Sequence, residues 1–183
     1  MNAEDAREKG ELSGLRVLAH PLRLRMLSLL TGSALSAMEL SRELGISQAL
    51  ASYHLRQLHR ADVIELAEVR SRRGGRERRF VYRPAAPGSP ARSPSLTDGL
   101  ALFAEAVCVE LRRRSQEAET GLDRLGVDAE LWVGPAEWAE AIDAMRTASI
   151  ALHSRAKPPR TAGTIRVSVS AVLFPMTTDA TSP

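Results

Sequence analysis

Cysteine occurs once in the 183 residues, at Cys108, which excludes an intramolecular disulfide framework and any zinc site built on several thiolates. A reducing compartment is the expectation. Long apolar runs are missing too: none approaches the roughly 18 residues that would span a bilayer. Met1 to Gly10 mixes acidic and basic side chains without the apolar stretch of a secretory signal, so the chain reads as soluble and cytoplasmic. Lysine is scarce; of the 25 Lys and Arg residues only Lys9 and Lys157 are lysine. No phosphate-binding glycine loop, dinucleotide fingerprint or recognisable grouping of nucleophile, acid and base appears. Neither catalysis nor a cofactor is expected.

What is present suits one full globular domain or two small ones. With 44% hydrophobic and 26% charged residues, the chain can bury a core. Its charge is unevenly placed: residues 1–95 carry 16 Lys and Arg against 10 Asp and Glu, and residues 96–183 carry 9 against 12. The first part is basic and the second mildly acidic, which points to different electrostatic roles. The change falls at Arg83 to Ser95, RPAAPGSPARSPS, where four prolines forbid a continuous helix or a central strand. Four segments are expected: a domain over 14–83, a semi-rigid Pro/Ser linker over 84–95, a second unit over 96–175, and a frayed tail over 176–183. No internal repeat is visible.

In the first domain, Leu15 and Leu18 precede His20-Pro21, and Pro21 suits the first turn of a helix carrying Leu24, Leu27, Leu29 and Leu30. Gly32 stops it. Ser36 followed by Glu39 is a capping-box pattern opening a short helix through Leu44. Gly45 provides a residue tolerant of positive φ, Ile46 fills the corner, and Ser47 caps a further helix to about Arg60. The last helix buries Ala51, Leu55 and Leu58. Its other face carries Gln48, Ala49, Ser52, Tyr53, Arg56 and Gln57, groups suited to base edges and phosphates in a major groove; an ordinary solvated face is the competing reading.

Val63 to Val69 alternates as a strand, a glycine turn follows, and Arg78 to Tyr82 returns, giving a hairpin. Seven arginines fall between Arg70 and Arg83, more than solubility demands. Such a tip suits phosphate, with a salt slope of about −0.9 per phosphate neutralised; a solvated basic loop is the alternative.

The phrases VLAHPLRLRMLSLL, AMELSRELGISQALASYHLRQLHRADVIE and RSRRGGRERRFVYR together resemble winged helix-turn-helix regulators of the ArsR type, over about residues 14 to 83. The resemblance implies a dimer reading two half-sites about one helical turn apart, with recognition helix 47–60 in the major groove and basic wing 70–79 on backbone or minor groove. The expected DNA contacts are Ser36, Ser47, Gln48, Ala49, Ser52, Tyr53, His54, Arg56, Gln57 and Arg60, with Arg70, Arg72, Arg73, Arg76 and Arg78 on the wing. Asp62 stands where the family usually has glycine, and aspartate tolerates the left-handed conformation. Many such proteins sense metals through a Cys-x-Cys on the helix before the reader; here Ala37 to Leu44 has no thiol. His54 and His59 point about 140° apart on a helix, so no metal site is expected.

Past the linker, Leu96, Leu100, Phe103, Val107 and Leu111 form an apolar stripe that resumes at Ala118, Leu122 and Leu125. A long helix to Gly126 is predicted, with Leu96 to Leu111 as dimer interface; packing within its own domain is the alternative. Cys108 reads as a small buried residue. A strand over Ala129 to Val133, a helix from Gly134-Pro135 presenting Trp138, Ile142, Met145 and Leu152, and an alternating strand over Thr164 to Phe174 suggest a small β-α-β module. Trp132, Trp138 and Phe103 could enclose a small-molecule effector. The fold class expected is mainly α with a small β component. A transcriptional repressor binding double-stranded DNA is the leading reading; a winged-helix protein-interaction module, or a sensor with its effector in the second unit, is the alternative.

Overall fold

The computed structural model describes residues 16–72, 75–83 and 99–177. After helical residues 16–18 (α1), His20 caps α2 (Pro21–Gly32): its Nδ1 accepts from the Leu22 amide at 3.2 Å, and Pro21 occupies the first turn. Strand β1 (Leu35–Ser36) leads straight into α3 (Ala37–Leu44). Ser36 and Glu39 close the predicted capping box, the Ser36 amide donating to Glu39 Oε2 at 2.8 Å and the Glu39 amide to Ser36 Oγ at 3.4 Å. Gly45, at φ 65°, ends α3 and its amide donates to the Ser41 carbonyl. Ser47 then caps α4 (Gln48–Arg60). Asp62 adopts φ 53° at the exit from α4, in the conformation aspartate was expected to tolerate.

Strands β2 (Glu65–Arg72) and β3 (Gly75–Val81) pair antiparallel, with an irregularity between Leu66 and Glu68. The sequence did not disclose β1, which pairs with β3 through Leu35 opposite Phe80 and Ser36 opposite Arg79, giving the sheet order β1-β3-β2. The core beneath comprises Met26, Leu27, Leu30, Leu40, Ala51, Leu55, Leu58, Ile64 and Phe80. The larger of these side chains, Ala51 aside, each contribute roughly 1.5–3 kcal/mol. In α2, Met26 is fully buried together with Leu30, whereas Leu24 and Leu29 are half-buried. Helix, turn, helix and hairpin on one core make a winged helix-turn-helix.

Helix α5 (Leu100–Ser115) packs against α2. It is shorter than the helix to Gly126 that the apolar stripe suggested. Arg112, Arg113 and Arg114 fill its last turn, where cations complement the negative end of the macrodipole, and Gly121 turns the chain at φ 94°. Its buried positions are Ala106 and Glu110, the latter paired with Arg113 at 3.0 Å and Arg114 at 3.6 Å. Leu100, Phe103 and Val107 are half-buried, whereas Leu111 and Cys108 are exposed, correcting the expectation of a buried thiol. Leu96 lies outside the described residues.

Helix α6 (Pro135–Ser154) starts where Gly134-Pro135 predicted and ends before Pro158-Pro159. Trp138 and Ile142 are half-buried, while Met145 and Leu152 are exposed. The segments 129–133 and 164–174 take part in no ladder among the described residues. The strands expected on either side of α6 are therefore not formed among the described residues: both segments lie outside the sheet of β1, β3 and β2. After α6, the Lys157 carbonyl lies so close to Gly32 that a Cβ there would sit 2.3 Å from it. Arg160, at φ 63°, makes a two-pronged ion pair with Glu43 of α3, both contacts at 2.9 Å.

Candidate nucleic-acid interface

Helix α4 is held on the core by Ala51, Leu55 and Leu58, each at most 2% exposed. The stripe predicted for burial is buried, so the opposite face is fixed in orientation. On that face Gln48, Ala49, Tyr53, Arg56 and Arg60 are exposed, and Ser52 and Gln57 are half-buried. An exposed helical face with an amide, a phenol and two guanidiniums can donate and accept along base edges while engaging phosphates. Ser47 is exposed, but its hydroxyl already accepts the Leu50 amide at 3.2 Å.

Two expected contacts are turned inward. Ser36 is 2% exposed because its hydroxyl caps α3 while its backbone joins the sheet. His54 is 4% exposed: its position four residues before Leu58 and three after Ala51 places it on the buried stripe. Arg23 Nε donates to His54 Nδ1 at 3.2 Å, and Arg23 Nη1 also donates to the Val17 carbonyl at 2.9 Å. The His20 ring lies 4.8 Å away and the Tyr53 ring 5.1 Å away, edge-on. Burial, with His20 and Arg23 adding to it, pushes the His54 pKa down to about 4. Neutral His54 thus acts as an acceptor that ties α4 to α2.

The wing separates its arginines by role. Arg76 and Arg78 are exposed, with Arg78 lying 5.8 Å from the Phe80 ring centroid. Arg70 is exposed and paired with Glu68 at 2.6 Å, and Arg83 reaches Glu65 at 3.6 Å. Arg79 faces inward: it donates to Glu39 at 2.8 Å and to the Ala34 carbonyl at 2.6 Å. Sequence alone counted it with the others, since nothing local marks a partner 40 residues away. Arg73 and the side chain of Arg72 lie outside the described residues.

These elements follow one another in the order helix, three-residue turn, exposed helix, basic hairpin. Residues 18–67 match the helix-turn-helix domain family. The match runs from α1 through the helix-turn-helix proper into the first half of β2. No curated protein matches the chain. The helix-turn-helix domain supplies a DNA-binding function of the kind found in transcription regulators, with double-stranded DNA as partner. No helix among the described residues is long and apolar enough to cross a membrane.

The suggested effector enclosure is not assembled: Trp132 is 84% exposed, so it lines no closed cavity, while Phe103 and Trp138 are half-buried. A shallow cavity of about 280 Å³ lies elsewhere, between the helix-turn-helix domain and the loop after α6, lined by Ser33, Leu35, Glu39, Arg42, Glu43 and Pro158 to Arg160. Among the described residues no three His, Cys, Asp or Glu side chains gather as a metal site would require.

Proposed function

We propose that the protein is a homodimeric, sequence-specific repressor of ArsR type. In this reading α4 lies in the major groove, with Gln48, Ala49, Ser52, Tyr53 and Gln57 towards base edges and Arg56 and Arg60 towards phosphate. The β2–β3 hairpin brings Arg70, Arg72, Arg73, Arg76 and Arg78 to the backbone or minor groove. The observation that carries the reading is the division of α4 into a fully buried stripe and an exposed polar, cationic face. A face so oriented, beside a basic hairpin, fits duplex DNA better than a small molecule or an apolar partner. A two-fold arrangement suits operators with paired half-sites, and the apolar positions Leu102, Val109 and Leu111, exposed on α5, are available to such a contact.

The test is fluorescence anisotropy of the purified chain against duplex DNA from upstream of its own coding region, beside a scrambled duplex, over a salt series. Tighter binding to the upstream duplex that survives near-physiological salt supports a specific regulator. Equal, weak binding to both, abolished by salt, counts against sequence-specific reading at that region and favours the protein-interaction alternative.

A further inference from the structure

Tyr53 keeps 46% of its surface exposed, yet its ring rests on a neighbour. It meets the His54 imidazole edge-on, with centroids 5.1 Å apart and planes at 74°, within the range where such pairs attract. Consecutive side chains leave a helix about 100° apart, so the two rings meet only because the phenol leans back towards the buried stripe instead of standing straight out. His54 offers that contact from a fixed position. It is 4% exposed, its Nδ1 accepts from Arg23 Nε at 3.2 Å, and Arg23 is tied in turn through Nη1 to the Val17 carbonyl at 2.9 Å. The His20 ring closes in at 4.8 Å, and His20 is itself held by the cap it makes on α2. An unbroken set of contacts thus runs from Val17 in α1, through Arg23 of α2, to an exposed phenol on α4.

We infer that His54 is a positioning residue: it holds Tyr53 in the rotamer used on the duplex, and Arg23 holds His54. An exposed side chain that is pinned only on binding loses rotamer freedom, which weakens the contact by about two- to tenfold. A phenol already held in one rotamer avoids that loss, and the gain falls on the duplex whose bases the phenol meets. The inference rests on the DNA-reading assignment of α4 above and adds that part of its sequence discrimination is set from α1 and α2. A role confined to tying α4 to α2 would lower stability and leave the discrimination of folded molecules intact.

Two substitutions separate the ring from the acceptor. His54→Asn keeps a side-chain carbonyl for Arg23 but removes the ring; His54→Phe keeps a ring but leaves Arg23 Nε without its acceptor. Tyrosine-selective NMR of the free chain at pH 7.5 reads the Tyr53 χ1 rotamer. Anisotropy on the upstream and scrambled duplexes reads the preference, at a temperature where urea melts show each variant folded. The expected result is one rotamer in the unsubstituted chain and in His54→Phe, averaging in His54→Asn, and a preference about two- to tenfold lower in His54→Asn alone. In a Tyr53→Ala background, His54→Asn should lower the preference no further. Averaging already present in the unsubstituted chain, or a single rotamer that persists in His54→Asn, overturns the positioning role. So does a preference that falls equally with and without Tyr53, because His54 then acts by seating α4. A sequence-specific chain whose preference ignores His54→Asn overturns the role alone, whereas an unsubstituted chain that binds both duplexes equally overturns it together with the DNA reading.

Discussion

Arg79 on β3 reaches Glu39 of α3 at 2.8 Å, so the hairpin is clamped to the N-terminus of the helix that precedes α4. The same Glu39 closes the capping box with Ser36; its carboxyl lies below the usual range because hydrogen bonds from Ser36 and the nearby Arg79 guanidinium outweigh its desolvation. Replacing Arg79 with alanine should cost about 1.5–3 kcal/mol of stability, the value of a charge-assisted hydrogen bond. Arg76→Ala should leave stability within about 0.5 kcal/mol, weaken binding to every duplex alike and reduce the salt slope by about one. Urea melts and anisotropy salt series on the two variants separate the roles; equal stability losses would show that Arg76 is structural too.

Exposed residues on α4 should govern discrimination rather than bulk affinity. Gln48→Ala or Tyr53→Ala is expected to reduce the preference for the cognate over the scrambled duplex by roughly 1–3 kcal/mol, about fivefold or more. A uniform fall on both duplexes would remove those side chains from base reading.

The buried His54 gives folding a pH dependence. Its folded value of about 4 lies below the ordinary 6.5, so the unfolded chain takes up the proton first as pH falls. The contribution is complete above about pH 6.5 and is lost as pH falls towards 4, amounting to at most about 3 kcal/mol. His20 is lowered as well, chiefly by burial and then by Arg23, and acts in the same direction. Urea unfolding at pH 7.5 and 5 should show the loss, and His54→Gln should flatten it; a wild-type curve unchanged across this range would contradict the placement.

Gly32 leaves no room for a side chain beneath the Lys157 carbonyl. Gly32→Ala should lift the loop after α6 away from the helix-turn-helix domain and accelerate tryptic cleavage after Arg155. Glu43→Gln, which removes the partner of Arg160, should produce the same nicking while the core stays folded. Cleavage rates matching the unsubstituted chain would mean the loop is held by other contacts.

The helix-turn-helix was legible because its signals are local: Ser36 and Glu39 three apart, Gly45 at the turn, Ser47 before α4, and an apolar stripe at helical spacing. Strand β1 is two residues long and has no pattern of its own, so it appears only once Phe80 and Arg79 lie opposite it. The inward turns of Arg79 and His54 depend on partners 40 and 31 residues away, beyond any spacing rule. His54 was nonetheless recoverable, since it continues the stripe of Ala51, Leu55 and Leu58. For residues 129–133 and 164–174, alternation shows that a segment can enter a sheet but carries no information about whether a neighbouring edge is there to receive it. The apolar spacing past Leu111 likewise gave no sign that α5 ends at Ser115.

Ser36 is at once a rung of the sheet opposite Arg79 and the cap of α3. The wing and the helix pair consequently turn as one piece, with no hinge between the part that would grip phosphates and the part that would read bases. On duplex DNA their separation is a fixed ruler. Inserting one base pair between the wing's contact and the bases under α4 shifts the two footprints by about 3.4 Å along the duplex and rotates them by about a tenth of a turn. The protein has no internal joint with which to follow, so a site stretched in that way would be gripped at one end only.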